Sequence, residues 1–344
     1  MKLTRRRMLK AGMVASLSLP WNSLAESARR VRVGFLGIAH SHFKEKLQVL
    51  KQSEDFELVG LCEENVSVRD KGPINARWIS RAILMREAEV IVVEGTVQEL
   101  SRNAADALRE GKHVHVEKPP AASMSEFRNL VNLARRSHRL LQVGYMWRHN
   151  PGFNRAFEAA RNGWLGDVFL LRATMNTQIP DERRQEWATF RGGAMFEQGS
   201  HLVDAAVRLL GRPRKVTSFL QRRRFPKDRL ADNTVAVLEF SQAMAILTSA
   251  PLQPNAGAHR FLEILGTGGT ALVQPIEPPA LVLDLAAAAG PYVEGRQGIA
   301  LPEYHRYVDE FRELAHAVRS ASNLSVSLEE ERVIQETLLK VCGS

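Results

Sequence analysis

The chain of 344 residues is poor in cysteine and contains no long hydrophobic run. Its two cysteines, Cys62 and Cys342, lie far apart, which excludes a disulfide framework and a cysteine-rich zinc site. No segment approaches the roughly 18 apolar residues of a membrane span, so stable membrane insertion is not expected. Apolar residues make up 44% and charged residues 25%, as in ordinary globular proteins, and the length favours two domains.

Acidic residues are absent before Glu26, and this absence explains much of the net charge of +9. From Glu26 onward, 42 basic and 38 acidic residues leave only +4, because five of the 47 basic residues precede it: Lys2, Arg5, Arg6, Arg7 and Lys10. The basic segment QRRRFPKDR at 221–229 lacks interleaved aromatic residues and is interpreted as a solvated loop. We therefore expect no nucleic-acid partner.

The first 25 residues have the layout of an export signal. Arg5 and Arg6 precede the mild apolar run AGMVASLSLP, and a small-x-small pattern follows at 23–25. This segment resembles a twin-arginine signal peptide, with Met8 where the pattern prefers Phe. We expect export of the folded, cofactor-loaded protein to the periplasm or the outside; the sequence leaves open whether the signal is cleaved.

The spacing of apolar residues changes near residue 150. Before it, β-rich runs alternate with helical patterns, which is typical of βαβ units and a parallel sheet. Beyond residue 165 strand patterns follow one another directly and predict a mainly antiparallel sheet, with a final helix from about Pro302. The predicted strands are 31–39, 56–62, 89–95, 113–118 and 140–146, then 167–175, 215–221, 233–241, 243–250, 261–266 and 270–275.

The turn after the first predicted strand carries an incomplete dinucleotide fingerprint. Gly37, Ala39 and His42 stand at the three glycine positions of G-x-G-x-x-G. Ala39 still permits a pyrophosphate to approach the backbone, whereas His42 cannot take the packing role of the third glycine. The second strand ends at Glu63, where an acid binds ribose hydroxyls and favours NAD over NADP. A solvated acid at a strand end is the alternative interpretation of Glu63.

Two later motifs are more specific. GKHVHVEKPP contains Glu117 and Lys118, and EQGSHLVD contains Glu197, His201 and Asp204. Together they resemble the motifs of the glucose-fructose oxidoreductase and inositol dehydrogenase family, Gfo/Idh/MocA, and the resemblance covers essentially the whole mature chain. In this family the second motif begins with Asp, so Glu197 is one methylene longer.

The resemblance implies an α/β protein of two domains. Residues 30–148 are expected to form a Rossmann domain with a doubly wound parallel sheet. Residues 149–344 are expected to form a C-terminal α+β domain with an open, mainly antiparallel sheet, and the final helix is free to pack back on the first domain. The implied cofactor is NAD, with NADP second. The implied partners are a small sugar or polyol substrate and a second copy of the chain, bound through the C-terminal sheet.

The resemblance also assigns the site residues. It places Lys118 beside the nicotinamide and gives His201 the acid-base role, which suits an imidazole because oxidation of a secondary alcohol requires a base. Glu197 and Asp204 lie four residues before and three after His201, so either carboxylate could orient its ring if the segment is helical. The predicted cofactor-binding residues are Gly37, Ala39, His40, Glu63, Gly95, Glu117, Lys118 and Arg148. No metal is expected, since His40, His113 and His115 lack a recognised ligand spacing.

Departures from the family pattern keep three functions open. The segment VVEGTVQEL at 92–100 replaces the family's usual Thr-Pro-Asn turn and puts Glu94 near the expected cofactor. The main prediction is an NAD(P)-dependent oxidoreductase acting on a secondary hydroxyl of a sugar, cyclitol or related polyol. The alternatives are glycoside cleavage by transient oxidation and elimination with tightly bound NAD, and a non-catalytic sugar or nucleotide sensor. The sequence identifies neither the sugar nor the hydroxyl.

Overall fold

The computed structural model describes residues 29–343, so the predicted signal at 1–25 lies outside the described part of the chain. Within this part, no helix is both long and apolar enough to cross a membrane. The strands are β1 Val31–Leu36, β2 Phe56–Cys62, β3 Val90–Val93, β4 His113–Val116, β5 Leu141–Val143, β6 Val168–Thr174, β7 Lys215–Gln221, β8 Asn233–Glu239, β9 Met244–Ser249, β10 Phe261–Gly266, β11 Gly269–Val273, β12 Leu281–Leu285 and β13 Gly295–Ile299. The helices are α1 Phe43–Gln52, α2 Val66–Arg69, α3 Arg81–Glu87, α4 Val97–Arg109, α5 Met124–Ser137, α6 Pro151–Arg161, α7 Asp181–Trp187, α8 Ala194–Glu197, α9 Gly199–Leu210, α10 Val308–Ser320 and α11 Leu328–Val341.

The first sheet has five parallel strands in the order β2-β1-β3-β4-β5. All four residues of β3 are buried, as expected when helices cover both faces of a parallel sheet. The chain moves outward in one direction from β1 to β2 and in the other from β3 to β5. This reversal leaves a crevice at the carboxyl ends of β1 and β3, where ligands bind in open α/β sheets. The predicted parallel Rossmann-type sheet is confirmed.

The second sheet has eight strands in the order β13-β12-β11-β10-β6-β9-β8-β7. Its strand pairs are antiparallel apart from β6 with β9, so the predicted mainly antiparallel sheet is confirmed. Alternate residues of β8, such as Ala236 and Leu238, are buried beneath the helices, while Val235 and Val237 lie on the half-buried open face. Strands β12 and β13 were not predicted.

The predicted helix from about Pro302 corresponds to α10, which begins at Val308, but it is not the last helix, because α11 follows. Helix α10 ends at Ser320, and the next residue, Ala321, has a positive φ of 49°. Ser327 precedes α11, and its side chain forms a capping box with Glu330. Gln335 on α11 donates a hydrogen bond of 2.7 Å to the carbonyl oxygen of Ala121. The last helix therefore packs against the first domain.

Candidate active site

The turn that follows β1 and the turn that follows β3 meet in the crevice at the carboxyl ends of these strands. Gly37 has a positive φ of 84°, and a Cβ at this position would lie 2.5 Å from the Gly95 nitrogen. Only glycine therefore permits this close approach of the two backbones. The His40 N–H donates a hydrogen bond of 2.9 Å to the Glu94 carbonyl oxygen, which joins the turns a second time. The structure thus brings the predicted cofactor residues Gly37, His40 and Gly95 to one place.

Glu63 lies at the end of β2 and contacts the first turn. One carboxylate oxygen accepts a hydrogen bond of 3.0 Å from the Ile38 N–H, and the other accepts one of 2.9 Å from the Asn65 N–H. Each oxygen retains a further lone pair, because an ionised carboxylate accepts about four hydrogen bonds. Glu63 therefore positions the turn and keeps the capacity to bind a ribose hydroxyl.

A buried ammonium lies behind the two turns. Lys46 on α1 is fully buried, and its Nζ donates to Glu94 Oε1 at 2.7 Å and also to Glu117. The same Nζ lies 2.9 Å from His115 Nε2. We call Lys46, Glu94, Glu117 and His115 the Lys46 cluster. Sequence reasoning missed Lys46, although its spacing on the apolar stripe of α1, between Phe43 and Leu50, marks it as inward-facing.

The two carboxylates of the Lys46 cluster have opposite pKa shifts. Burial favours the neutral form of both, but at Glu117 the charge of Lys46, with smaller contributions from His42 and His40, overcomes it and holds the pKa well below its usual range. At Glu94 burial dominates over Lys46, and the pKa is raised. Burial also lowers the pKa of His115 to about 3, so this imidazole is neutral.

A second buried ion pair joins the two predicted motifs. Lys118 Nζ donates to the carbonyl oxygen of Glu197 at 3.0 Å and to its carboxylate at 2.9 Å. Both side chains are almost completely buried. Burial opposes ionisation of Glu197, but Lys118 and then His40 outweigh it and lower the pKa of the carboxyl group. One N–H of Lys118 remains for another acceptor, since an ammonium has three donors.

His201 lies on α9, buried beside two aromatic rings. Its ring centroid is 5.0 Å from that of Trp147 and 5.7 Å from that of Tyr145. Burial, followed by the charge of Lys118, holds the pKa of His201 well below 6.5, so the imidazole is neutral. Its Nδ1 has no hydrogen-bond partner within residues 29–343. A neutral ring with a free nitrogen can accept a proton from a substrate.

Arg148 and Asp204 are bound to each other, a pairing that sequence reasoning missed. The Arg148 guanidinium donates to Asp204 at 2.7 and 2.9 Å and to Glu331 at 2.6 and 2.9 Å. Asp204 is thus bound to Arg148 rather than to His201, and Glu197 is bound to Lys118. Arg148 is held by two carboxylates, one from α9 and one from α11, because α11 packs back on the first domain. Neither Asp204 nor Glu197 is therefore hydrogen-bonded to His201 in this structure, and the assignment of Arg148 to the cofactor site stays a prediction.

Comparisons with known proteins identify the family. Residues 31–145 match the model described as an oxidoreductase family with an NAD-binding Rossmann fold, and residues 153–272 match the GFO/IDH/MocA C-terminal domain. The chain belongs to this Gfo/Idh/MocA family of oxidoreductases. Family membership and the fold confirm the resemblance inferred from the motifs.

Individual relatives and solved structures resemble this chain at low sequence identity. The chain is 26% identical to the D-glucoside 3-dehydrogenase of Escherichia coli over 55% of this chain and 56% of that protein. It is 24% identical to the NADP⁺-dependent scyllo-inositol 2-dehydrogenase IolW of Bacillus subtilis over 65% of this chain and 67% of that protein. The matched region covers 38% of the length of one curated relative and 92% of the length of another. The structure of UDP-N-acetylglucosamine 3-dehydrogenase GnnA from Acidithiobacillus ferrooxidans shares the fold, with a TM-score of 0.75 at 18% identity, covering 91% of this chain and 97% of that one.

Proposed function

We propose that this protein oxidises or reduces a ring carbon of a sugar, cyclitol or related polyol with a nicotinamide dinucleotide as hydride carrier. The observation that carries the proposal is the pairing of Lys118 with Glu197. This pair brings the motif that contains Glu117 and Lys118 next to the start of α9, which carries His201. The relatives support the substrate class, since their names specify a glucoside, an inositol and a UDP-sugar.

The crevice residues fit a dinucleotide. Gly37 and Ala39 keep the first turn free of large side chains, and Glu63 keeps lone pairs for ribose hydroxyls. Glu94 Oε2 and Glu197 Oε2 are buried polar atoms without a hydrogen-bond partner in the described chain, which a bound molecule would satisfy. When bound, the nicotinamide supplies the hydride donor or acceptor.

The chain's own residues would accept the hydroxyl proton and stabilise the negative charge that develops on the substrate oxygen. Neutral His201 accepts the hydroxyl proton through a ring nitrogen, and Lys118 directs its remaining N–H toward the oxygen on which negative charge develops. Glu197 holds the Lys118 ammonium in place and balances its charge. Trp147 and Tyr145 exclude water from one side of the imidazole.

A substrate panel tests this proposal. One sample of the purified protein is denatured, and any nicotinamide cofactor that it releases is identified. A second, native sample is incubated with NAD and a series of sugars, cyclitols and glycosides. Stoichiometric NADH with an oxidised product supports net dehydrogenation, whereas cleavage of glycosides with catalytic NAD supports transient oxidation. Absence of nicotinamide binding at millimolar concentration, together with a sugar-dependent rise in Tm, would replace the proposal with a sensor.

We propose NAD rather than NADP as the preferred cofactor because of the Glu63 carboxylate. Glu63→Gln keeps one hydrogen-bond acceptor but removes the charge that repels a 2′-phosphate. We expect the ratio of NADP to NAD affinity to rise about tenfold, or more, in titrations of the variant. Glu64→Gln, which removes the neighbouring exposed charge, serves as the control. An equal change of this affinity ratio in both variants would contradict the proposal that Glu63 sets the preference for NAD.

We also propose export through the twin-arginine pathway, on the evidence of Arg5, Arg6 and the apolar run that follows. Residues 1–30 fused to a folded reporter should direct it across the inner membrane. Arg5→Lys combined with Arg6→Lys should abolish that transport, whereas Arg7→Lys should permit it. Transport that persists in the double variant would contradict the proposal.

The open face of the second sheet is proposed to pair with a second copy of the chain. The face presents a half-buried apolar surface, on which Phe219 is 59% and Met244 48% exposed, and large apolar patches mark interaction sites. Phe219→Lys should lower the solution mass from oligomer to monomer in light scattering. Phe225→Lys is the control, because Phe225 is equally exposed but lies outside the sheet. A monomeric unmodified protein would refute this arrangement.

A further inference from the structure

Two histidines and a glutamate converge at the first turn, beside the Lys46 cluster. The nitrogen or oxygen ligand atoms of His40, His42 and Glu117 lie within 4.8 Å of one another. Glu117 Oε2 is 3.2 Å from His42 Nδ1 and 3.9 Å from His40 Nδ1. His40 and His42 are separated by one residue, whereas Glu117 arrives from the end of β4.

These separations suit ligands of one metal ion. Zinc bonds to imidazole nitrogen and carboxylate oxygen are about 2.0–2.2 Å long, and tetrahedral geometry then places neighbouring ligand atoms about 3.4 Å apart. The separations of 3.2 and 3.9 Å lie on either side of that value. His40 Nδ1 accepts a hydrogen bond of 3.3 Å from the His42 N–H, which an ion bound to this nitrogen would replace.

Unused hydrogen-bonding capacity surrounds the same point. His42 Nδ1, Glu94 Oε2 and Glu197 Oε2 are buried and have no hydrogen-bond partner among the described residues. Glu94 Oε2 lies 3.7 Å from His40 Nδ1, and Glu197 Oε1 lies 3.8 Å from His40 Nε2. Buried polar atoms without partners are costly, and a bound cation is one way in which proteins satisfy several of them together.

We propose that His40, His42 and Glu117 bind a divalent transition-metal ion, with Glu94, whose Oε2 lies 3.7 Å from His40 Nδ1, available as a further carboxylate ligand. Two imidazoles with carboxylates suit Zn²⁺ and its first-row neighbours, whereas Mg²⁺ and Ca²⁺ prefer sites made of oxygen alone. Lys46 then acts behind the ligands by orienting the Glu117 carboxylate, as outer hydrogen bonds do in other metal sites. Because His40 and Glu117 are also predicted cofactor-binding residues, metal binding is measured without substrate and without cofactor, and its result is separate from the test of the oxidoreductase proposal.

The test uses the purified protein without a histidine tag. Protein stripped with a chelator is equilibrated with Zn²⁺, desalted and analysed for metal, and Co²⁺ is added to a second sample to record its visible absorption. We expect one ion per chain and the spectrum of a four-coordinate Co²⁺ site. His42→Asn should weaken Zn²⁺ binding by about 100-fold or more, because it removes a direct ligand.

His113→Asn is the matched control, since His113 lies on β4 outside the cluster. It should bind Zn²⁺ like the unmodified protein. Circular dichroism of the metal-free variants establishes that they are folded, and His40→Asn replaces His42→Asn if the latter is not. Metal content far below one ion per chain, or equal Zn²⁺ affinity in the ligand and control variants, would overturn the proposal.

Discussion

Replacement of His201 with alanine is expected to lower kcat by about 10²–10⁴-fold, the usual effect of losing a general base. Cofactor affinity should change little, because His201 lies on α9 rather than on the turns that contact a dinucleotide. The measurement is steady-state turnover of the best substrate in the panel, with cofactor titration on the same preparations. His113→Asn, at a histidine remote from the crevice turns, should leave turnover unchanged.

The pH profile tests the same role independently. Because burial and Lys118 lower the pKa of His201, its neutral form persists below the ordinary histidine value. The acid limb of kcat/KM for alcohol oxidation should therefore lie below about pH 6.5 and should disappear in His201→Ala. Wild-type turnover in the variant across pH would exclude His201 as the base and would favour a different acceptor for the hydroxyl proton.

Lys118 and Glu197 show how far sequence motifs predict a site. Each motif is local and specific, so both residues could be identified before the structure was known. Their ion pair across the domain junction depends on the positions of β4 and α8, which no local pattern encodes. The roles of Lys118, Glu197 and His201 stay predictions, although the structure brings the first two together.

The missed features have different causes. A continuous apolar run predicted β3, because both of its faces are covered, and an alternation of apolar residues predicted β8, because one face is covered. Strand β13, at the edge of the second sheet, has no buried residue and therefore no comparable pattern. The capping box of Ser327 and Glu330 indicates the start of α11, which sequence reasoning missed.

Arg148 illustrates the limit most clearly. Its motif resemblance indicated a cofactor contact, but its partners come from two helices distant in sequence, α9 and α11. Since neither helix position is predictable from the residues around Arg148, sequence reasoning missed these two partners, and its assignment as a cofactor ligand stays a prediction. The two interpretations differ in what substitution of Arg148 should change: cofactor affinity in one, and stability in the other.

Arg148→Met is expected to destabilise the folded protein by about 3–5 kcal/mol, because Glu331 would remain buried without its counterion and Asp204 would keep only Arg208, 3.8 Å away. Denaturant unfolding measures this loss, and cofactor affinity of the remaining folded protein should be nearly unchanged. Arg155→Met is the control: its partner Glu158 is 43% exposed, and such surface pairs contribute at most about 1 kcal/mol. Adding Glu331→Gln to Arg148→Met should recover part of the stability, since it removes the unpaired charge of Glu331. A large loss of cofactor affinity with little loss of stability would instead support Arg148 as a cofactor ligand.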